Sequence, residues 1–141
     1  MKKTFLMLLF LITKTEYLYA QSLNVDFKWM LKHRCSKSSP ELKVENIPKG
    51  TVELRVTMSS HRRPDNNYYH GGGNLKNEAG FPSSFTIAEG ALQTYNGPCP
   101  QEIHTYHGSD YEFFVIAVDK QNNEVGKGSK KKNWGTKEVK E

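Results

Sequence analysis

The stretch from Tyr111 to Val118 constrains the fold of this chain more than any other segment. It reads YEFFVIAV, and residues 113–118 are apolar without interruption. A strand with one face in water alternates apolar and polar residues, whereas a strand covered on both faces is apolar throughout. The segment is therefore predicted to be a central strand buried between two layers.

Two earlier segments show the alternation expected of strands with one wet face. From Leu23 to Trp29 and from Val52 to Met58, apolar residues occupy every second position. Segments rich in turn-forming residues lie between the predicted strands, at 37–40, 47–50, 63–67, 71–74 and 96–100. No segment shows a long, capped helical period. The pattern predicts a single all-β domain with little helix, built as an antiparallel β-sandwich.

The first twenty residues have the pattern of a secretory signal peptide. Lys2 and Lys3 form a basic start, Phe5 to Ile12 are apolar, and Leu18 to Ala20 offer a cleavage site. The apolar run is well short of the about 20 residues that a membrane-spanning helix needs. We therefore expect a secreted or periplasmic protein, with a membrane-tethered form as the alternative.

The charge of the chain argues against nucleic acid as a partner. The full chain has a formal net charge of +5, and removal of residues 1–20 leaves 17 basic and 14 acidic residues. This excess is too mild for a nucleic-acid-binding protein. It gathers at Lys127 and at residues 130–132, so residues 127–141 are predicted to be a solvated polar tail after a domain spanning 21–126. The alternative is peripheral contact with acidic lipid.

The chain has two cysteines, Cys35 and Cys99. In an exported protein they are expected to form one disulfide, because the compartment beyond the membrane is oxidising. The bridge would stabilise the protein by about 4 kcal/mol in the chain-entropy model. A redox or metal role is disfavoured because the sequence has no CxxC pair.

The sequence HGGG at His70 to Gly73 is a candidate binding motif. Three glycines leave room for a ligand near the backbone, and exposed amides beside an imidazole can hold phosphate or carboxylate oxygens. The alternative is a mobile loop whose glycines only form a turn. HGGG also occurs in the oxyanion loop of lipases, but the GxSxG nucleophile motif is absent here. An enzyme is therefore not expected.

Two further clusters follow. GPCP at Gly97 to Pro100 predicts a rigid rim that could present the Gly97 amide to a ligand, or serve only as scaffolding. His104 and His107 follow within ten residues, but with His61 and His70 they fit no zinc-site spacing. Histidines with an ordinary pKa near 6.5 favour anion binding below neutrality.

Read in order, these pieces resemble the phosphatidylethanolamine-binding protein family, which includes the Raf kinase inhibitor proteins and their bacterial relatives. The segments are CSKSSPELKVENIPKG at Cys35 to Gly50, LRVTM at Leu54 to Met58, Pro64 with the later His70, GPCP, H-x-Y at His104 to Tyr106, and YEFFVIAVD at Tyr111 to Asp119. The resemblance covers residues 27–119. It implies a β-sandwich with a small pocket for phosphate-bearing head groups or similar anions, and no cofactor.

The resemblance also implies which residues form this pocket. Pro64 would end the loop after the LRVTM strand, His70 would be the first pocket histidine, and Gly97 with Pro98 would form a wall. The second pocket histidine is His104 or His107. The pocket tyrosine is either Tyr106, which completes H-x-Y, or Tyr111, which begins the apolar strand.

One departure from the family concerns the loop after LRVTM. The family pattern there is DxDxP, whereas this chain has SHRRP, with Ser60 and Arg62 at the two acidic positions. A guanidinium suits phosphate, so Arg62 would strengthen anion binding if it faced the pocket. The alternatives are a rebuilt pocket and an Arg62 that faces solvent.

Together these features predict an exported, non-enzymatic binding protein for a small anion or phospholipid head group. The alternative is a secreted protein-interaction or inhibitor domain with a vestigial pocket.

Overall fold

The computed structural model describes residues 20–63, 66–99 and 110–134. The predicted signal peptide, apart from Ala20, lies outside these residues. The strands are β1 (Gln21–Ser22), β2 (Asn24–Phe27), β3 (Leu42–Glu45), β4 (Thr51–Arg63), β5 (Asn66–Lys76), β6 (Ser84–Ile87), β7 (Asp110–Asp119) and β8 (Glu124–Asn133). One 3-10 turn spans Leu31–His33. None of the described residues belongs to a helix that is long and apolar enough to cross a membrane.

The strands form two sheets. One has the order β1-β8-β7-β4-β5 and the other the order β2-β3-β6. The parallel pairing of β1 with β8 departs from the predicted antiparallel arrangement, whereas the remaining pairs are antiparallel. The prediction of an all-β fold with little helix is confirmed for the described part of the chain.

The core lies between the two sheets and is rich in aromatic rings. Phe27 of β2 and Phe113 of β7 meet edge to face, with ring centroids 4.9 Å apart. Trp29, which continues the alternation of β2, contacts the rings of Tyr111 and Trp134. The predicted alternation over residues 23–29 is thus confirmed, because its apolar members face the opposite sheet.

β7 is the third of five strands, as predicted, but only one of its faces is covered. Phe113 and Val115 are fully buried, whereas Phe114 is 38% exposed and Ile116 is half-buried. The prediction of burial on both faces is wrong because the three-stranded sheet packs against the inner face alone. No described element covers Phe114.

The lysine-rich segment after residue 126 belongs to the sheet. β8 pairs with β7 along most of its length, and Trp134 is only 5% exposed. The Lys132 amine lies 2.8 Å from the Asp26 carboxylate and also donates to the carbonyl of Phe27. The predicted boundary at 126 therefore divides a strand. Composition was misleading here because the lysines pair with β7 along its length: Lys131 pairs with the outer residue Glu112, whereas Lys130 and Lys132 pair with the inner residues Phe113 and Tyr111.

Candidate functional site

A β-bulge sets the position of His70. In the ladder between β4 and β5, Thr57 pairs with Gly72 and Ser59 pairs with Tyr69. Two residues of β5, His70 and Gly71, therefore lie opposite one residue of β4. Gly71 has a φ of 80°, a conformation that favours glycine. Bulges redirect side chains, and this one places His70 within reach of the inner face of β4.

Both nitrogens of the His70 ring have polar neighbours. Nε2 lies 3.0 Å from the Ser60 hydroxyl oxygen, and Nδ1 lies 3.1 Å from the carbonyl oxygen of Asn96. A carbonyl can only accept, so Nδ1 carries the hydrogen of the neutral ring, and Ser60 donates to Nε2. The ring also meets the edge of Tyr111, with centroids 5.3 Å apart. These contacts fix the imidazole on three sides.

The ring borders a small pocket of about 220 Å³. Its lining residues are Ser60, Tyr68, Tyr69, His70, Cys99 and Tyr111. Ser60 and Tyr111 are 2% exposed, whereas Tyr68 and Tyr69 are 53% and 69% exposed, so the tyrosine pair lies at the mouth. Drug-sized ligands occupy pockets of about 300 to 1,000 Å³. This pocket suits a smaller group.

The glycines of HGGG make room for the chain's own backbone. They lie within β5, so the predicted turn at 71–74 is wrong. A Cβ added to Gly71 would lie 1.7 Å from the carbonyl oxygen of Thr94. The Gly72 amide lies 3.1 Å from the Thr94 hydroxyl, and the Thr94 amide donates to the Gly72 carbonyl at 2.9 Å. The Gly72 amide therefore has a partner within the protein, which argues against its predicted role in holding an anion.

The predicted disulfide between Cys35 and Cys99 is present, with Cα atoms 4.4 Å apart. Two backbone hydrogen bonds flank it, from Cys35 to the Pro98 carbonyl and from Gly97 to the Ser36 carbonyl, both 2.7 Å. The Gly97 amide is thus occupied, so the prediction that it faces a ligand is wrong. The scaffolding role predicted as the alternative fits these contacts.

Gly97 and Pro98 are buried behind Cys99 and do not line the pocket. A Cβ on Gly97 would lie 2.5 Å from the carbonyl oxygen of His33, so close backbone contact requires glycine at this position. Gly97 and Pro98 therefore do not form the pocket wall themselves. They fix the position of Cys99, which lines the pocket.

The structure brings together two of the predicted site residues, His70 and Tyr111. Pro64, His104, Tyr106 and the alternative histidine His107 lie outside the described residues, and so does the side chain of Arg62. Their roles stay predictions.

Sequence reasoning missed the direct contact of Ser60 and Asn96 with His70. Ser60 could have been predicted from the alternation of side chains along β4. It lies two residues after buried Met58 and therefore on the same face. Asn96 contributes a backbone carbonyl, which no residue pattern reveals.

Two other histidines lie away from this pocket. His61 is on the outer face of β4, where its Nε2 lies 2.8 Å from a carboxylate oxygen of Glu112. His33 is the last residue of the 3-10 turn and is buried; its Nδ1 accepts the Met30 amide and its Nε2 lies 3.4 Å from Glu89. Burial lowers the pKa of His33, although Glu89 opposes the effect. Neither histidine contributes to the site at His70.

A scan against protein-family models gives no match, and a search of curated proteins finds no relative. Functional assignment therefore depends on the chemistry of the pocket.

Proposed function

We propose that the chain is an exported, non-enzymatic binding protein of the phosphatidylethanolamine-binding type. It holds a phosphate-like oxyanion, free or within a phospholipid head group, in the pocket beside His70. The observation that carries the proposal is the pocket itself, where a fixed imidazole lies next to Ser60 and Tyr111 in a small, half-enclosed space.

The chemistry of the lining favours an anion. It offers four hydroxyl groups and one imidazole, all of which can donate hydrogen bonds. None of the six described lining residues is acidic, so nothing among them repels a phosphate. Ser60 occupies a position where the family pattern has an acid, which removes one negative charge from beside His70.

The disulfide supports the proposed location. A bridge between Cys35 and Cys99 is compatible with an oxidising compartment such as the periplasm or the extracellular space. The segments that resemble the family also include the apolar strand β7, whose first inner residue, Tyr111, reaches the pocket.

The pair formed by Ser60 and His70 has the spacing of a nucleophile and its base. Acyl transfer also needs donors for the developing oxyanion. Two nearby amides, of Gly72 and Gly97, are already bonded within the protein. The sequence also lacks the GxSxG nucleophile motif, so we propose binding rather than turnover, and ester turnover that Ser60→Ala abolishes would contradict the proposal.

The tyrosines at the mouth support a second candidate function. Tyr68 and Tyr69 are large and exposed, and aromatic residues are enriched at protein interfaces. A protein-interaction domain would use this rim and leave the pocket empty. In that case Tyr69→Ser would abolish binding to the partner, whereas His70→Gln would leave it unchanged.

The proposal is tested by thermal unfolding at about pH 6 with inorganic phosphate or with glycerophosphoethanolamine. A ligand at about 100 times its Kd stabilises a protein by about 2.7 kcal/mol, which raises the melting temperature by several degrees. His70→Gln should abolish the rise. His61→Gln is the matched control, because His61 is on the opposite face of the same sheet.

A rise with phosphate alone would identify a free anion as the ligand, and a larger rise with glycerophosphoethanolamine would identify the head group. The proposal fails if neither compound raises the melting temperature, or if the two histidine variants lose the effect equally.

A further inference from the structure

The contacts of His70 link its protonation to the hydroxyl group of Ser60. Nδ1 faces the Asn96 carbonyl oxygen at 3.1 Å and therefore keeps its hydrogen in both charge states of the ring. Nε2 faces Ser60 Oγ at 3.0 Å. When the ring is neutral, Nε2 is an acceptor, and the single hydroxyl hydrogen of Ser60 is directed at it.

Protonation reverses this hydrogen bond. Nε2 then carries a hydrogen of its own and donates it to Ser60 Oγ, so the hydroxyl hydrogen rotates away from the ring. Ser60 lines the pocket, and an oxyanion bound there would accept that hydrogen. A single proton thus adds both a positive charge and a hydrogen-bond donor to the site.

We infer that Ser60 couples the binding of a tetrahedral oxyanion to the protonation of His70, an inference that rests on the proposed function. Ser60 is in this sense a specificity-determining residue. Its hydroxyl donates to a bound anion when the His70 ring is charged and donates to the ring instead when the ring is neutral. An acid at this position would instead hold the charged ring and offer no hydrogen to an anion.

The other described groups around His70 come from two strands and from the disulfide. β7 contributes Tyr111, β5 contributes Tyr68 and Tyr69, and the segment before β7 contributes Cys99, which is bonded to Cys35. None of these described neighbours is a carboxylate or an amine.

The acids on β7 nearest to the pocket are engaged elsewhere. Glu112 lies 2.8 Å from His61 and 2.7 Å from the Ser129 hydroxyl, on the outer face. Asp110 accepts from the Asn133 side chain at 2.9 Å.

Sulfate is the probe that tests the coupling, because it stays a dianion between about pH 5.5 and about pH 8 and so does not titrate itself. Its affinity is measured by calorimetry for the unaltered protein, Ser60→Ala and Ser60→Thr at both pH values. A protonated ring adds a positive charge and a donor to the site, so the unaltered protein should bind at least about tenfold more tightly at the lower pH.

The two Ser60 variants then separate coupling from simple contact. Ser60→Ala should weaken binding about tenfold at about pH 5.5, since it removes a hydrogen bond to a charged group. At about pH 8 it should have no effect, because the hydroxyl hydrogen is then engaged by His70. Ser60→Thr keeps the hydroxyl and should show the same dependence on pH as the unaltered protein.

An equal loss for Ser60→Ala at both pH values would overturn the inference, because it would indicate an ordinary contact or a structural role. No loss at either value would overturn it as well. In that case the protein would still bind sulfate, so the inference about Ser60 would fail while the proposed function would still be supported. If the unaltered protein binds neither sulfate nor phosphate at either pH, the proposed function fails and the inference fails with it.

Discussion

Replacing Gly71 with alanine should destabilise the protein far more than replacing Gly50. The two glycines have φ angles of 80° and 90°, so the backbone penalty for an L residue is similar at both, about 1 to 2 kcal/mol. Their surroundings differ. A Cβ at Gly50 meets no atom within 4 Å, whereas a Cβ at Gly71 would lie 1.7 Å from the carbonyl oxygen of Thr94.

Only movement of the segment around Thr94 away from β5 can relieve this clash. That movement breaks the hydrogen bonds from Thr94 to the Gly72 carbonyl at 2.9 Å and from Asn96 to the His70 carbonyl at 2.8 Å. It also breaks the bond between the Gly72 amide and the Thr94 hydroxyl. Three bonds at about 0.5 to 1.5 kcal/mol each, together with the backbone penalty, raise the total cost of Gly71→Ala to about 2.5 to 6.5 kcal/mol.

Urea unfolding measures the difference, with tryptophan fluorescence as the signal because Trp29 and Trp134 are both buried. Gly50→Ala serves as the matched control and should lose about 1 to 2 kcal/mol. If the two variants differ by less than about 0.5 kcal/mol, the segment around Thr94 yields to a side chain at Gly71 and the reasoning is wrong.

Three further predictions use the same measurement. Joint replacement of Cys35 and Cys99 by alanine should cost about 4 kcal/mol, because the bridge spans a sequence separation of 64; a loss under about 1 kcal/mol would refute the entropy argument. Burial lowers the pKa of His33, so the unfolded chain binds a proton first as the pH falls below 6.5. Stability should be constant above that value and decline below it, and His33→Asn should flatten the decline. Phe113→Ala should cost about 3 to 5 kcal/mol and Phe114→Ala less than about 1, and equal losses would show that the outer face of β7 is covered.

The sequence predicted the strands well where one face is apolar. The alternation over 23–29 and 52–58 reports the period of a strand directly, and β2 and β4 form there. The apolar run of β7 correctly predicted a central position in the sheet. It wrongly predicted that both faces of the strand are buried. An unbroken apolar run does not say whether a second layer exists, and that depends on how many strands the rest of the chain supplies.

Long-range partners account for the features that were predicted wrongly. The glycines of HGGG were interpreted through local turn chemistry, but backbone from elsewhere in the chain crowds them. Residues 92–95 cross Gly71 and Gly73, and a Cβ on Gly72 would meet the Val56 carbonyl of β4. The amide of Gly97 was expected to be open to a ligand, and Ser36 occupies it. Neither partner is near in sequence, so no local pattern announces the contact.

The candidate site was partly predictable for a related reason. His70 and Tyr111 are side chains of types that bind anions, and they stand out in the sequence. Their partners are a serine on the inner face of β4 and the backbone carbonyl of Asn96, which become visible only when the bulge has placed the imidazole ring.

The lysines of β8 also have a consequence for how copies of this protein meet. One edge of β8 pairs with β7. Of the described strands, only β1 pairs with the other edge, at Gly126 and Lys127. No described strand pairs with that side between Ser129 and Asn133, where three consecutive lysines lie. An open strand edge invites the edge of a second molecule, and lysines at such an edge oppose it by charge repulsion. The segment that was predicted to be a solvated polar tail thus places positive charge at an edge where the sheet could otherwise extend into a second molecule.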